Sequence, residues 1–225
     1  MEHRRVFDQE IAELKEMILT MGKLVQKLII NSVNAFRDAD IAAAKAVIEE
    51  DEKVDQLELD IDEKSIQMIA LRQPEASDLR FVMTGIRIAT DLERIGDLAE
   101  DIGQRTLDLN GKPSLAAFAG IPAMAKLAEE ELTIVLDAFI NRDANTARQV
   151  WAKEKAVDKL RNSVCHELSE DMTKNGALVP TAMPLMLVAR HLERISDHVT
   201  NIAEDIIYMT EGKVVKHSWL KHELR

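Results

Sequence analysis

The stretches DLERIGDLAEDI (residues 91–102) and HLERISDHVTNIAEDI (residues 191–206) lie 100 residues apart and share the pattern L-E-R-I-x-D. Upstream of them, residues 18–57 align without gaps on residues 121–160, and 12 of the 40 aligned pairs are identical. A repeat of this length indicates two copies of one structural unit. The sequence NGKPS at residues 110–114 is typical of a helix end followed by a linker. We therefore place the copies at residues 1–109 and 115–225.

Each copy is predicted to contain three helices. In the first helix, apolar residues from Phe7 to Leu28 recur at alternating steps of four and three, which is the spacing of a packed helix. Asp40 is a suitable N-cap for the second helix, and the third is expected to begin around Ser77 or Asp78. The chain has 8 glycines, 5 prolines and only 4% aromatic residues, which disfavours sheets. The predicted fold is all-α, with two tandem, pseudo-symmetric three-helix bundles.

Charge and cysteine content exclude several classes of function. The net charge of −11 has the wrong sign for a protein that neutralises nucleic-acid phosphates. The single cysteine, Cys165, cannot form an intramolecular disulfide, and the charged start MEHRRVFDQEIAEL does not resemble a signal peptide. No window reaches 18 uncharged apolar residues, so we expect no membrane insertion. We therefore expect a cytoplasmic protein.

The unusual feature of both copies is an apolar helix stripe that becomes acidic. On the second helix, Ile41, Ala44 and Ile48 continue at the same spacing into Asp51 and Asp55. The third helix and both counterparts in the second copy follow the same pattern. Four acid pairs with a spacing of four result: Asp51/Asp55, Glu93/Asp97, Glu154/Asp158 and Glu193/Asp197.

These pairs allow two interpretations. Residues four apart stack on one helix face, so each pair presents two oxygen ligands, and two adjoining helices would bring four carboxylates together. A hard cation such as Mg²⁺, Mn²⁺, Ca²⁺ or iron would remove their mutual repulsion. Alternatively, the acids form a solvated face of an acidic protein. Their recurrence at matching positions in both copies favours metal, but spacing alone leaves both interpretations open.

The two L-E-R-I-x-D blocks, with QPEASDLR (residues 73–80) before the first and EGKVVKH (residues 211–217) after the second, resemble the PhoU family of phosphate-transport regulators. The resemblance covers essentially the whole chain. It implies a protein that binds multinuclear clusters of iron, zinc, magnesium or manganese. It also implies negative regulation of the phosphate-starvation response through the ATP-binding subunit of the phosphate ABC transporter and the sensor histidine kinase. We also expect a homodimer.

The resemblance implies a ligand set in each bundle. These sets are Asp51, Asp55, Glu93, Asp97 and Asp101 in the first, and Glu154, Asp158, Glu193, Asp197 and Asn201 in the second. The copies differ nearby. Ser196 replaces Gly96, from which we expect looser helix packing, and Arg161 and Thr200 stand where the first copy has Glu58 and Glu100. We therefore expect the two sites to differ in charge and occupancy.

Two other functions remain to be weighed: a carboxylate-bridged metalloenzyme and a helical adaptor without metal. A di-iron oxidase is disfavoured because the acidic helices lack the Glu-x-x-His pair that such sites use. His191 and His198 are predicted to be surface or interface residues rather than ligands. No Ser/His/Asp constellation or glycine-rich phosphate loop is visible, so we expect no enzyme.

Overall fold

The computed structural model describes residues 2–109 and 120–215, which are helical with short connections and contain no strand. This confirms the predicted all-α fold. The first copy contains α1 (Glu2–Asp38), α2 (Ile41–Arg72) and α3 (Ala76–Asp108). The second copy contains α4 (Gly120–Asn141), α5 (Ala144–Ala147), α6 (Val150–Lys174), a 3₁₀ turn (Gly176–Leu178) and α7 (Val179–Glu211). We refer to α1–α3 as the first bundle and to α4–α7 as the second bundle.

The turn after the first helix of each bundle shows the duplication at the level of single hydrogen bonds. The Asp40 carboxylate accepts hydrogen bonds from the backbone N–H groups of Ala42 and Ala43, and the Asp143 carboxylate accepts one from Asn145. The residue before each cap has a positive φ, 52° in the first bundle and 51° in the second. The predicted N-cap at Asp40 is therefore confirmed, and the same capping turn recurs in the second copy.

The second helix of the second copy departs from prediction, because it is interrupted between α5 and α6. The N–H of Gln149 donates to the carbonyl of Thr146, three residues back, which tightens the backbone there. In the first copy the corresponding residues, 41–46, are mostly alanine, the strongest helix former. The second copy has Asn145 and Thr146, whose side chains compete for backbone hydrogen bonds, at equivalent places.

The two bundles share one apolar core. Buried aliphatic residues from both copies form a single cluster, and the rings of Phe81 and Phe139, one from each bundle, stack with centroids 5.2 Å apart. The Gln26 amide on α1 donates to the Thr133 hydroxyl on α4 at 2.8 Å. No helix in the described ranges is apolar over enough of its length to cross a bilayer.

Candidate metal centre

The acidic end of the first bundle lies between the antiparallel helices α2 and α3. Asp51 on α2 faces Gly96 on α3, and about two turns away Thr90 donates to Glu58 at 3.1 Å. A Cβ atom on Gly96 would overlap Asp51 Oδ1, so only glycine leaves room for this carboxylate. Only 4% of the Asp51 surface is exposed. The sequence therefore buries an acid where the α2 stripe changes from apolar to acidic.

Three carboxylates meet at this point. Asp51, Asp55 and Asp97 each offer one oxygen, and these three oxygens lie within 4.8 Å of one another. Oxygens bound to one Ca²⁺ or Mg²⁺ ion lie about 3 to 5 Å apart, given metal–oxygen distances of about 2.0 to 2.6 Å. The arrangement thus has the size of a site for a hard cation, with ligands from both helices.

Burial and mutual repulsion determine the protonation behaviour of this cluster. Burial raises the pKa of Asp51 to about 7, with further contributions from the negative charges of Asp55, Glu100, Asp97 and Glu93. The pKa values of Glu93, Asp97 and Glu100 are also raised, in each case chiefly by burial. Such shifts mean that the ionised form lacks stabilising partners.

Asp51 Oδ1 is buried without a hydrogen-bond partner among the described residues, and Glu93 Oε2 is buried with only an ion-pair contact to Arg94 Nε. Arg94 lies at 3.3 Å from both Glu93 and Asp97, but it is exposed and remains on the outer side of α3. A buried orphan oxygen is unfavourable unless a proton or a cation satisfies it. The donor set therefore fits a hard cation, and the solvated-face interpretation does not describe Asp51.

One expected ligand of the first bundle lies elsewhere. The side chain of Asp101 is 51% exposed and points towards His191 of α7, at 3.8 Å from its Nδ1. Glu100, one residue earlier, is instead among the charges that act on Asp51. The steps from Glu93 to Asp97 and on to Glu100 follow one helix face, whereas Asp101 is rotated off it. The charge of Glu100 therefore acts on Asp51, whereas the charge of Asp101 acts on Asp97.

The corresponding region of the second bundle is arranged differently. Arg161 donates from Nη2 to Glu193 Oε1 at 2.5 Å, and the two residues form an ion pair. Arg161 occupies the position of Glu58 in the first copy. Burial and the charges of Asp197 and Asp158 raise the pKa of Glu154 to about 7, and the pKa of Asp197 is also raised, chiefly by burial. Within the described ranges, no three acids of this bundle bring ligand atoms as close together as Asp51, Asp55 and Asp97 do.

Asn201, the last residue of the expected ligand set, faces the other bundle. Its amide lies 3.4 Å from Asp91 of α3, which also accepts a contact of 2.8 Å from His198 Nδ1. This placement does not support the assignment of Asn201 as a metal ligand. His191 and His198 both lie between the bundles, as the sequence predicts for interface histidines.

The sequence interpretation missed a buried acid, Glu131 on α4. Glu131 is fully buried, and Ser196 Oγ on α7 donates a hydrogen bond to Glu131 Oε2 at 2.7 Å. Burial raises the pKa of Glu131 to about 7, and the nearby charges of Glu154 and Asp197 act in the same direction. The signal was present in the repeat, because Glu131 aligns with the apolar Leu28 of the first copy. Ser196, which stands where the first copy has Gly96, is itself fully buried and hydrogen-bonded to Glu131.

Comparison with known proteins agrees with the repeat and the fold. The family model described as the PhoU domain matches this chain twice, at residues 18–106 and 121–206. The phosphate-specific transport system accessory protein PhoU homolog of Aquifex aeolicus is 39% identical over 215 residues, covering 96% of this chain and 97% of the relative. The accessory protein PhoU of Escherichia coli K12 is 32% identical over 211 residues, covering 94% of this chain and 88% of the relative.

Solved structures agree as well. The crystal structure of PhoU from Pseudomonas aeruginosa has a TM-score of 0.87 at 34% identity, covering 92% of this chain and 100% of that one. The phosphate transport system regulatory protein PhoU from Streptococcus pneumoniae has a TM-score of 0.85 at 28% identity, covering 93% and 99% respectively. These relatives are named as accessory and regulatory proteins, which confirms the expectation of a protein that is not an enzyme. The chain belongs to the PhoU family.

Proposed function

We propose that this chain is a metal-binding regulator of phosphate uptake that represses the phosphate-starvation response. It would act by contact with the ATP-binding subunit of the phosphate ABC transporter and with the phosphate sensor histidine kinase. Similarity along more than nine tenths of the chain to proteins named as accessory to a phosphate transport system carries this proposal. We propose a cytoplasmic location, as these partners would require, and a homodimeric state.

The metal part of the proposal rests on the cluster of Asp51, Asp55 and Asp97. Two unit charges about 5 Å apart at an effective dielectric of about 20 repel each other by roughly 3 kcal/mol, so three such carboxylates strongly favour a cation. Carboxylate oxygens suit magnesium, manganese and iron, and they also bind zinc. We propose that Glu93 and Glu100 complete this site, and that Glu154, Asp158 and Asp197 contribute to a second one.

The regulatory part is tested in a strain that lacks the gene. We expect phosphate-starvation genes to stay switched on in high phosphate, and the wild-type gene to restore repression. The purified protein is expected to retain the transporter's ATP-binding subunit in a pull-down. A deletion strain that still represses those genes, together with no retention in the pull-down, would contradict the proposal.

The contribution of metal to regulation is tested in the same strain. A gene carrying Asp55→Ala with Asp97→Ala is compared with a gene carrying Glu52→Ala, which changes an exposed acid on the same helix. We expect the double variant to restore repression less well than the control, because it removes two of the three clustered carboxylates. Equal repression by both genes, at equal protein levels, would show that the regulatory function does not depend on metal bound at this site.

A further inference from the structure

A groove lies on the surface of the second bundle between α6 and α7. It has a volume of about 470 Å³, and its walls include Cys165 of α6 and Met183, Met186 and Leu187 of α7. Met183 is 47% exposed and Leu187 is 37% exposed, although both side chains are large and apolar. Covering apolar surface of this kind is favourable. The groove is therefore a surface that gains stability when another molecule covers it.

The corresponding surface of the first bundle has a different composition. Four positions differ in chemical type between the copies, where Glu58, Asp62, Arg87 and Thr90 of the first align with Arg161, Cys165, Leu187 and Arg190 of the second. The first set contains two acids and one arginine, and the second contains two arginines and no acid. Only one of these arginines is neutralised, since Arg161 pairs with Glu193. The second bundle is thus apolar and cationic along this groove, although the net charge of the chain is −11.

Two arginines continue the exposed apolar stripe of α7. Met183, Leu187, Arg190 and Arg194 follow one another at steps of four and three, which place them on one helix face. Both arginines are exposed, and neither forms an ion pair with a residue of the described ranges. The stripe therefore presents two apolar side chains and then two guanidinium groups that acids of a partner can reach.

Shape and charge together define the occupant of this groove. A groove between two helices receives the apolar face of a third helix, whose anchoring side chains lie three and four residues apart. The two longer segments of this chain outside the described ranges have the wrong charge. Residues 110–119 contain no acid, and residues 216–225 contain one acid against three lysines and arginines. The complement is an amphipathic helix of another protein that carries apolar residues next to acids.

We propose that this groove binds an acidic amphipathic helix of the transporter's ATP-binding subunit. Apolar residues of that helix cover Met183 and Leu187, and its acids pair with Arg190 and Arg194. Methionine suits such a site because its flexible side chain adapts to the surface of a partner. The inference rests on the proposed regulatory function and adds the surface through which it acts. The similarity to proteins named as accessory to a phosphate transport system favours the transporter over the kinase as the source of the helix.

The test uses the purified full chain and the purified ATP-binding subunit. Calorimetric titration measures binding by the unmodified chain, by Met183→Glu, and by a double variant with Arg190→Glu and Arg194→Glu. The matched control is Met83→Glu, because Met83 is the aligned residue of the first bundle and is 40% exposed. Cys165 provides a second readout, because it is the only cysteine of the chain and its rate of reaction with a maleimide depends on whether the groove is covered. Circular dichroism melts show that each variant is folded.

We expect Met183→Glu and the double arginine variant to weaken binding by about tenfold or more, as is typical of central interface residues. Met83→Glu should change the affinity less than twofold. The bound subunit should slow the labelling of Cys165 by about fivefold or more. Added salt should weaken binding by the unmodified chain more than binding by the double arginine variant, because salt screens the ion pairs.

Unchanged affinity in the folded groove variants, with Cys165 labelled at the same rate in the presence of the subunit, would overturn the inference and leave the regulatory function standing. An equal loss of binding in Met83→Glu would also overturn it. Slower labelling of Cys165 at high concentrations of this chain alone would assign the groove to a second copy instead. If the unmodified chain does not bind the subunit, the proposed partner is wrong and the inference fails with it.

Discussion

Asp51 and Gly96 depend on each other at the scale of single residues. Glycine in a helix interior destabilises it by about 1 kcal/mol relative to alanine, so its use in α3 needs a local reason. That reason is the Asp51 carboxylate, which occupies the space of the missing Cβ atom. In the second copy the aligned residues are Glu154 and Ser196, and the serine donates to Glu131 instead. Two differences between the copies, Ser196 for Gly96 and Glu131 for Leu28, thus go together with a buried acid on α4.

We predict that the metal-free protein is more stable in mild acid than at neutral pH. Burial raises the pKa of Asp51 from 3.8 to about 7, and the pKa values of Glu131 and Glu154 are likewise raised to about 7. Between pH 4 and 7 the folded state therefore holds more protons than the unfolded state, so the free energy of unfolding falls as the pH rises. Three pKa units correspond to about 4 kcal/mol for one isolated group.

Urea unfolding at pH 5 and pH 8 in the presence of a chelator measures this dependence. Asp51→Asn should reduce the difference between the two pH values, because asparagine has no charge to bury. A free energy of unfolding that rises from pH 5 to pH 8 in the metal-free protein would contradict the prediction.

At the scale of helices, α6 and α7 carry different charges from those at the equivalent positions of α2 and α3. Glu58 and Glu93 are like charges in the first bundle, whereas Arg161 and Glu193 form an ion pair in the second. The ion pair between the first two helices also has its charges exchanged. In the first bundle Lys27 on α1 lies 2.8 Å from Glu50 on α2, whereas in the second bundle the acid, Glu130, is on α4 and the cation, Lys153, is on α6. The two bundles therefore place the charges of their corresponding ion pairs differently.

We predict that Arg161→Gln makes the second bundle more dependent on metal. Loss of the partly exposed ion pair should lower the free energy of unfolding by about 1 kcal/mol in chelator, since Glu193 is left beside Asp197. With Mn²⁺ present, the freed carboxylate should recover that loss. Thermal melts with chelator and with Mn²⁺ measure both effects, and Lys159→Gln, an exposed cation on the same helix, is the control. The same loss in both conditions would show that Glu193 does not bind metal.

The sequence identified the helix faces of the site better than its individual members. Steps of four and three place Asp51, Asp55 and Asp97 on facing stripes, and the structure brings these three together. The same steps do not distinguish Glu100 from Asp101, and the family resemblance favoured the residue that turns towards His191. A search for acid pairs could not find Glu131, because this residue lies on α4 and has no acid four residues away on the same helix face.

At the scale of the whole molecule, the two copies form one folded body. The repeat and the apolar periodicity predict the helices well, because each depends on residues within one element. The contact between copies depends on residues far apart in the chain, such as Phe81 with Phe139 and Gln26 with Thr133. Periodicity within a helix carries no information about such pairs.

We predict that the protein unfolds in one cooperative transition and that Phe139→Ala destabilises both copies. The phenyl ring is fully buried, so its removal should lower the free energy of unfolding by about 3 to 5 kcal/mol. Hydrogen exchange followed by mass spectrometry should show faster exchange in α3 as well as in α4. Faster exchange confined to residues 120–215 would mean that the bundles unfold independently.

The metal content of the purified chain tests the central claim most directly. Protein purified without chelator is analysed by inductively coupled plasma mass spectrometry, alongside the variant Asp55→Ala with Asp97→Ala. The account predicts bound metal in the unmodified chain and a lower content in the variant, in which the second bundle keeps its share. Adding Asp158→Ala and Asp197→Ala should remove the remainder. A folded double variant with unchanged metal per chain, or an unmodified chain that binds none, would contradict the account.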